Sequence, residues 1–217
     1  MTPSIFFDLD GTLTDSRSGI TACIQHAMKE MGHTAPSQDE LLWCIGPSLL
    51  TSFGTLVGED NAATALTIYR ERFAHVGWKE NVPYSGIDQV LQELKDAGHR
   101  LFVATSKPHI YANQIVDHFG MGQYISKVYG SELDGTRHDK PELLQYALED
   151  SQSPSNSIMI GDRQFDAIGA QANDMQFVGV TYGFGSLEEL ENAGARRFAS
   201  RPSELTSILL DLTRTGT

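Results

Sequence analysis

Apolar and polar positions along this chain follow two different periods. Ile5-Phe6-Phe7 is a short unbroken apolar run, the pattern of a strand buried on both faces. From Ser16 to about Val82 the spacing turns helical. Ile20, Cys23, Ile24, Ala27, Met28 and Met31 recur on one face, and Gly32 closes the run. Leu41, Leu42 and Ile45 predict a shorter helix ending at Gly46-Pro47. Leu49, Leu50, Phe53, Leu56 and Val57 predict another, and Ala62 to Phe73 a third with Leu66, Tyr69 and Phe73 on one side.

Beyond Val82 helices and strands alternate. Ile87, Val90, Leu91 and Leu94 predict an amphipathic helix closed by Gly98. Strands are expected at Arg100–Ala104, Lys127–Tyr129, Ser157–Ile160 and Phe177–Val180. Helices are expected at His109–Phe119, Pro141–Leu148, Phe165–Ala172, Leu187–Ala193 and Ser203–Leu212. Strands alternating with helices imply an α/β fold, a doubly wound parallel sheet of Rossmann type. The helical block breaks this alternation, so it is expected to be an inserted small α-helical domain at residues 15–82, with residues 1–14 and 83–217 forming the α/β core. No internal repeat or low-complexity linker is evident, and Thr213 to Thr217 are expected to fray.

Bulk properties narrow the function. The chain has 217 residues, of which 40% are hydrophobic and 20% charged, ordinary values for a globular protein with a core of useful size. Its formal net charge of −12 disfavours nucleic acid and anionic membranes as partners. The same charge repels anionic substrates at long range, so a site for them needs local cations or a metal. No apolar stretch suffices to span a membrane, and the start of the chain lacks the basic and apolar regions of a signal peptide. Cys23 and Cys44 form no CxxC and are expected to be buried reduced thiols, which sets the cytoplasm as the expected compartment.

Four predicted strand ends carry polar clusters. Asp8-Leu9-Asp10-Gly11-Thr12 follows the first strand, which puts two carboxylates close together where open α/β sheets bind ligands. One carboxylate can attack while the other handles protons, although an ordinary acidic turn has the same composition. Thr105-Ser106-Lys107 follows a buried strand, and hydroxyls at a helix start hold phosphate oxygens or simply cap the helix. Lys140 precedes Pro141 at a helix start, where its charge opposes the helix dipole. This suggests an ammonium serving an anion, against the commoner fate of a solvated lysine. Asp162 and Asp166 bracket a strand-to-helix turn, where acids also serve as caps. Together with Asp8 and Asp10 they would repel one another unless a cation sits among them, and oxygen-only ligands suit Mg²⁺. The seven histidines include no HExxH motif and none has zinc spacing.

With these residues the sequence resembles the haloacid dehalogenase superfamily, specifically its phosphatases with an inserted helical cap. Four motifs occur in the family's order: Asp8-Leu9-Asp10-Gly11-Thr12, Thr105-Ser106, Lys140-Pro141, and Gly161-Asp162 with Asp166. The resemblance covers essentially the whole chain, and the nearest subgroup is that of phosphoglycolate phosphatases and 5'-nucleotidase-like proteins. Pro83-Tyr84-Ser85-Gly86-Ile87 is similar to that subgroup's return from cap to core, with Ser85 where Pro is usual. Asp162-Arg163 departs from the Asp-Ser of phosphoglycolate phosphatases. With Leu133-Asp134-Gly135-Thr136-Arg137, it looks more like the nucleotidase branch.

The resemblance implies a Mg²⁺-dependent phosphomonoester hydrolase working through an aspartyl-phosphate. Asp8 is the implied nucleophile and Asp10 the acid and base. Thr105, the Ser106 amide and Lys140 would hold the phosphoryl oxygens. The metal would be held by Asp8, the Asp10 carbonyl and Asp162, with Asp166 binding directly or through water. The Ile45-Gly46-Pro47-Ser48-Leu49 loop resembles the cap loop facing the site, which makes Gly46 a substrate-binding candidate. One of Arg70 and Arg72 could meet a substrate carboxylate or phosphate, but both are first expected to be solvated or paired with cap acids such as Glu71, while Tyr69, Phe73 and Trp78 are expected to pack the cap. The implied partner is a small phosphate ester, handled by a monomer or homodimer. Phosphoglycolate comes first among expected substrates and nucleoside monophosphates second. A sugar phosphomutase ranks below both. A dehalogenase is disfavoured by Asp10, and a non-catalytic receiver module by the paired acids and the cap.

Overall fold

The computed structural model describes residues 3–215. By its internal contacts the chain forms two compact units, Met1–Thr14 with Pro83–Thr217, and Asp15–Val82. The first unit is built on a six-stranded parallel sheet. Its strands are β1 (Ile5–Phe7), β4 (Leu101–Pro108), β5 (Ile125–Ser131), β6 (Ile158–Gly161), β7 (Gln176–Val180) and β8 (Phe198–Ala199), in spatial order β5-β4-β1-β6-β7-β8. From β1 the chain moves outward through β4 and β5, then crosses back to fill β6, β7 and β8 on the other side. The carboxyl end of β1 therefore lies at the switch point, where such sheets form a crevice. Two further strands, β2 (Thr14–Asp15) and β3 (Val82–Pro83), pair as a separate two-stranded sheet where the chain passes between the units.

β1 explains why the sheet is so apolar at its centre. Ile5, Phe6 and Phe7 are all fully buried, in register with Leu101, Phe102 and Val103 on one side and Ile158, Met159 and Ile160 on the other. Alternation sends Phe6, Phe102 and Met159 to one face. There they pack with Tyr129, Leu143, Leu144, Ala147 and Ala170 under the helices α6 (Lys140–Ser151) and α7 (Gln164–Ala172). Phe6 and Phe102 stack with ring centroids 4.9 Å apart. The remaining core helices are α4 (Ile87–Asp96), α5 (His109–His118), α8 (Leu187–Asn192) and α9 (Leu205–Thr215). The fraying expected from Thr213 is not seen as far as Thr215, which still belongs to α9; Gly216 and Thr217 lie outside the described residues.

The second unit is helical, with α1 (Arg17–Glu30), α2 (Leu49–Val57) and α3 (Glu59–His75), and a 3₁₀ segment at Asp39–Cys44 where a short helix is expected. Phe53, Tyr69 and Phe73 are buried together, Tyr69 and Phe73 stacking at 5.5 Å. Arg72 makes a bidentate pair with Glu80, at 2.8 and 3.0 Å, and approaches Cys23 Sγ at 2.9 Å. It is thus paired within its own unit, with Glu80 rather than Glu71. Both cysteines are buried and neither forms a disulfide. Among the described residues no helix is long and apolar enough to cross a membrane.

Candidate active site

Because β4, β1 and β6 are adjacent, their carboxyl ends bring Thr105, Asp8 and Asp162 side by side. Asp8 extends β1, its N–H donating to the Ile160 carbonyl at 2.8 Å. Its buried carboxylate accepts from Lys140 Nζ at 2.9 Å. Lys140, the first residue of α6, also donates to the Ala104 carbonyl at 3.0 Å and lies 2.7 Å from Asp166 Oδ1. Its position at a helix start, unfavourable for the dipole, is thus balanced by two carboxylates and a carbonyl. Burial works against the lysine's charge, but Asp166 and Asp8 outweigh it and raise its pKa. Burial pushes Asp8 the other way, up to about 7, opposed by Lys140 and reinforced by Asp166 and Asp10.

Asp162 leaves β6 fully buried. One of its oxygens accepts the Phe184 N–H at 2.7 Å, while Oδ1 has no hydrogen-bond partner. Burial raises its pKa well above the ordinary aspartate value, with Asp8 and Asp166 adding to the shift. Asp166 caps α7 by accepting the Arg163 N–H at 3.1 Å. One carboxylate oxygen each from Asp8, Asp162 and Asp166 lie within 4.8 Å of one another. Ionised, these three acids share one adjacent ammonium, which leaves two negative charges and an orphaned buried oxygen. That oxygen-only set fits a hard divalent cation.

Asp10 stands outside this triad. Its Oδ2 pairs with Lys107 Nζ at 2.8 Å, and its buried Oδ1 has no hydrogen-bond partner. The turn that carries it is tight: Gly11 N–H donates to the Thr14 carbonyl, and the N–H groups of Thr12, Leu13 and Thr14 all reach the Leu9 carbonyl. Gly11 adopts φ +84, and a Cβ there would lie 2.1 Å from Asp162 Oδ2.

At Thr105-Ser106 the structure corrects the sequence. The strand is expected to end at Ala104, but β4 runs on to Pro108, and α5 begins at His109, where the helix is expected. Thr105 pairs with Gly130 and Pro108 with Ser131, so Ser106 and Lys107 form a bulge between partners adjacent on β5. Lys107 N–H donates to Thr105 Oγ1 at 3.2 Å and Ser131 Oγ to the Ser106 carbonyl at 2.8 Å. Seven of the candidate residues, Asp8, Asp10, Thr105, Ser106, Lys140, Asp162 and Asp166, therefore lie at strand ends or helix starts of the core unit. Gly46 lies in the second unit, between the 3₁₀ segment and α2, at φ +107. Arg163 is engaged by Glu189, its Nε 2.8 Å from Oε1.

Sequence reasoning left out two contributors, Lys107 and the loop after β7. Lys107 falls in the polar stretch just past the expected strand end at Ala104, where no local pattern names its partner. In the loop, Phe184 holds Asp162 and Tyr182 OH donates to the Thr12 carbonyl at 3.0 Å. The glycine-rich Tyr182-Gly183-Phe184-Gly185, one residue beyond a strand, was the available signal.

Comparison with known proteins gives the family. Residues 5–180 match the haloacid dehalogenase-like hydrolase family. A 5'-nucleotidase from Pseudomonas aeruginosa is 42% identical over 210 residues, covering 95% of each chain. A phosphoglycolate phosphatase from Colwellia psychrerythraea is 27% identical, over 88% of this chain and 89% of that one. The crystal structure of a predicted phosphatase from Clostridium acetobutylicum superimposes with a TM-score of 0.93 at 41% identity, over 97% of this chain and 99% of its own. Fold, site and relatives together define a phosphoric monoester hydrolase. The chain belongs to the haloacid dehalogenase-like hydrolase family.

Proposed function

We propose that this protein hydrolyses small cytoplasmic phosphomonoesters through an aspartyl-phosphate on Asp8. The observation that carries the reading is the convergence at one sheet edge of a buried Asp8 bound to Lys140, a second acid with an unengaged oxygen on the same loop, and the Asp8–Asp162–Asp166 triad. Asp8 attacks phosphorus, and the bond to the ester oxygen breaks as that oxygen takes a proton from Asp10. Asp10, now a carboxylate, accepts a proton from a water whose oxygen attacks the phosphorus, which frees Asp8 and releases phosphate. Thr105, the Ser106 N–H and Lys140 hold the phosphoryl oxygens. The carboxylates of Asp8 and Asp162 and the Asp10 carbonyl would hold Mg²⁺, with Asp166 direct or through water, and the ion would supply charge neutralisation between an anionic nucleophile and an anionic substrate. The assignment of Gly46 to substrate binding rests on the likeness of its loop to the family's cap loop.

Nucleoside 5'-monophosphates are the favoured substrates. The 42% identical relative bears the nucleotidase name, and phosphoglycolate phosphatases stand at 25%, 27% and 30%. This reading puts nucleoside monophosphates ahead of phosphoglycolate, and Arg163, where that phosphatase group has Ser, points the same way. Phosphate release is to be assayed in parallel on nucleoside monophosphates, phosphoglycolate, sugar phosphates and pyrophosphate, with and without Mg²⁺. Mg²⁺-dependent release that disappears in Asp8→Asn is expected, with kcat/KM highest for a nucleoside monophosphate. Absence of release from the whole panel in Mg²⁺ sinks the phosphatase reading, and a preference for phosphoglycolate sinks the substrate assignment alone.

A further inference from the structure

Lys107 is a buried cation to which the mechanism above gives no task. Its side chain is 6% exposed, its ammonium lies 2.8 Å from Asp10 Oδ2, and the Asp10 side chain is itself only 11% exposed. A lysine is rarely so buried without a specific partner. The chain spends structure to put it there. Ser106 and Lys107 are the two extra residues of the β4 bulge, and a bulge re-aims a side chain at the cost of ladder pairing. The neighbouring strand is shaped to accept this bulge. Ser131 Oγ anchors the Ser106 carbonyl, and Gly130 leaves room for the Lys107 carbonyl, which a Cβ would approach to 2.6 Å.

Stability is a weak explanation for such a pair, because desolvation of two charges offsets most of their attraction, and apolar pairs of the same size often do as well. Geometry offers a stronger one. Of the two Asp10 oxygens, Oδ2 is held and Oδ1, buried, has no hydrogen-bond partner. The arrangement mirrors that of Asp8, whose Oδ1 is held by Lys140. We propose that Lys107 is a positioning residue for Asp10: it clamps Oδ2 so that Oδ1 faces the ester oxygen and exchanges the proton. This rests on the assignment of Asp10 as acid and base in a phosphomonoester hydrolase.

A clamp on the general acid matters in proportion to how much the leaving group needs a proton. Esters of alcohols need protonation, whereas p-nitrophenolate leaves without it. Wild-type protein, Lys107→Gln, Asp10→Asn and the double variant are to be compared in Mg²⁺ on p-nitrophenyl phosphate and on a nucleoside monophosphate, with thermal melts confirming folding. In Lys107→Gln, kcat for the nucleotide should fall about tenfold more than kcat for p-nitrophenyl phosphate, the order expected for a misplaced acid. In the Asp10→Asn background the same substitution should leave that ratio unchanged. Lys107→Met, which keeps the aliphatic stem, carries the comparison if the Gln variant does not fold. Equal losses on both esters, or a shift in the ratio that persists without Asp10, overturn the proposal while leaving the phosphatase reading intact. Failure of the wild-type protein to turn over either ester instead removes the phosphatase reading, and this inference with it.

Discussion

At the scale of single residues, the site is a set of close approaches that sequence alone marks only in part. Gly11 shows this well. It combines a left-handed backbone, φ +84, with a position where a Cβ would stand 2.1 Å from Asp162 Oδ2. Gly32, at the end of α1, has a similar φ of +77 but nothing within 4 Å of a Cβ. Alanine at Gly32 should cost only the backbone term, about 1 kcal/mol, and lower Tm by roughly 2–4 °C with activity intact. Alanine at Gly11 adds a clash with a buried acid. It should cost roughly 3 kcal/mol and abolish phosphate release. Melts and turnover of both variants check this, and equal Tm losses would show that the crowding at Asp162 carries no cost. The motif residues themselves were legible because carboxylates and a lysine are conspicuous after apolar runs. Lys107 was visible but given no role, since its partner Asp10 lies in the loop after β1 and no local pattern reports a pairing between the ends of neighbouring strands.

Elements were legible to the extent that their periodicity was strong. β1, β6 and α4 were found because apolar runs and helical faces are local properties. The short edge strand β8, of two residues, was missed, since its identity comes from pairing with β7 rather than from its own sequence. β4 was cut short at Ala104 because Thr105-Ser106-Lys107 is polar and precedes a proline. The structure extends it through a bulge that only the register with β5 reveals. Packing between elements also reverses a rule of thumb. Gly169 lies within α7, where Gly→Ala ordinarily stabilises by about 1 kcal/mol. Here a Cβ would meet Lys140 Cγ at 2.6 Å and Leu144 Cδ1 at 3.0 Å, on the facing helix α6. Gly169→Ala should therefore destabilise by roughly 1–3 kcal/mol. Because the displaced atom belongs to Lys140, activity should fall as well. A variant with raised Tm and unchanged turnover would show that α6 and α7 separate freely.

For the molecule as a whole, the concentrated acidity of the centre should make stability depend on pH in a direction opposite to that of most surface carboxylates. In the absence of metal, burial holds Asp8 up at about 7, and Asp162 is raised as well, whereas both titrate near 3.8 when unperturbed. Between those values the folded chain retains protons that the unfolded chain has lost. The stability linked to them is complete below about pH 4 and disappears as pH rises towards 7, by on the order of a few kcal/mol for Asp8 alone. A divalent cation reverses the sign, since it binds the carboxylate forms and releases their protons. In EDTA, Tm should fall between pH 5 and 7. In saturating Mg²⁺ the curve should flatten or rise over the same range, so that the gain from Mg²⁺ is larger at pH 7 than at pH 5. Calorimetry near pH 6 in buffers of different ionisation enthalpy should register the proton release directly. In Asp162→Asn, which removes one of the three charges and keeps an acceptor for the Phe184 N–H, the Mg²⁺-dependent gain should shrink at every pH. Parallel pH curves with and without Mg²⁺ would mean that the metal does not bind at this triad, and that its repulsion is relieved by protons alone.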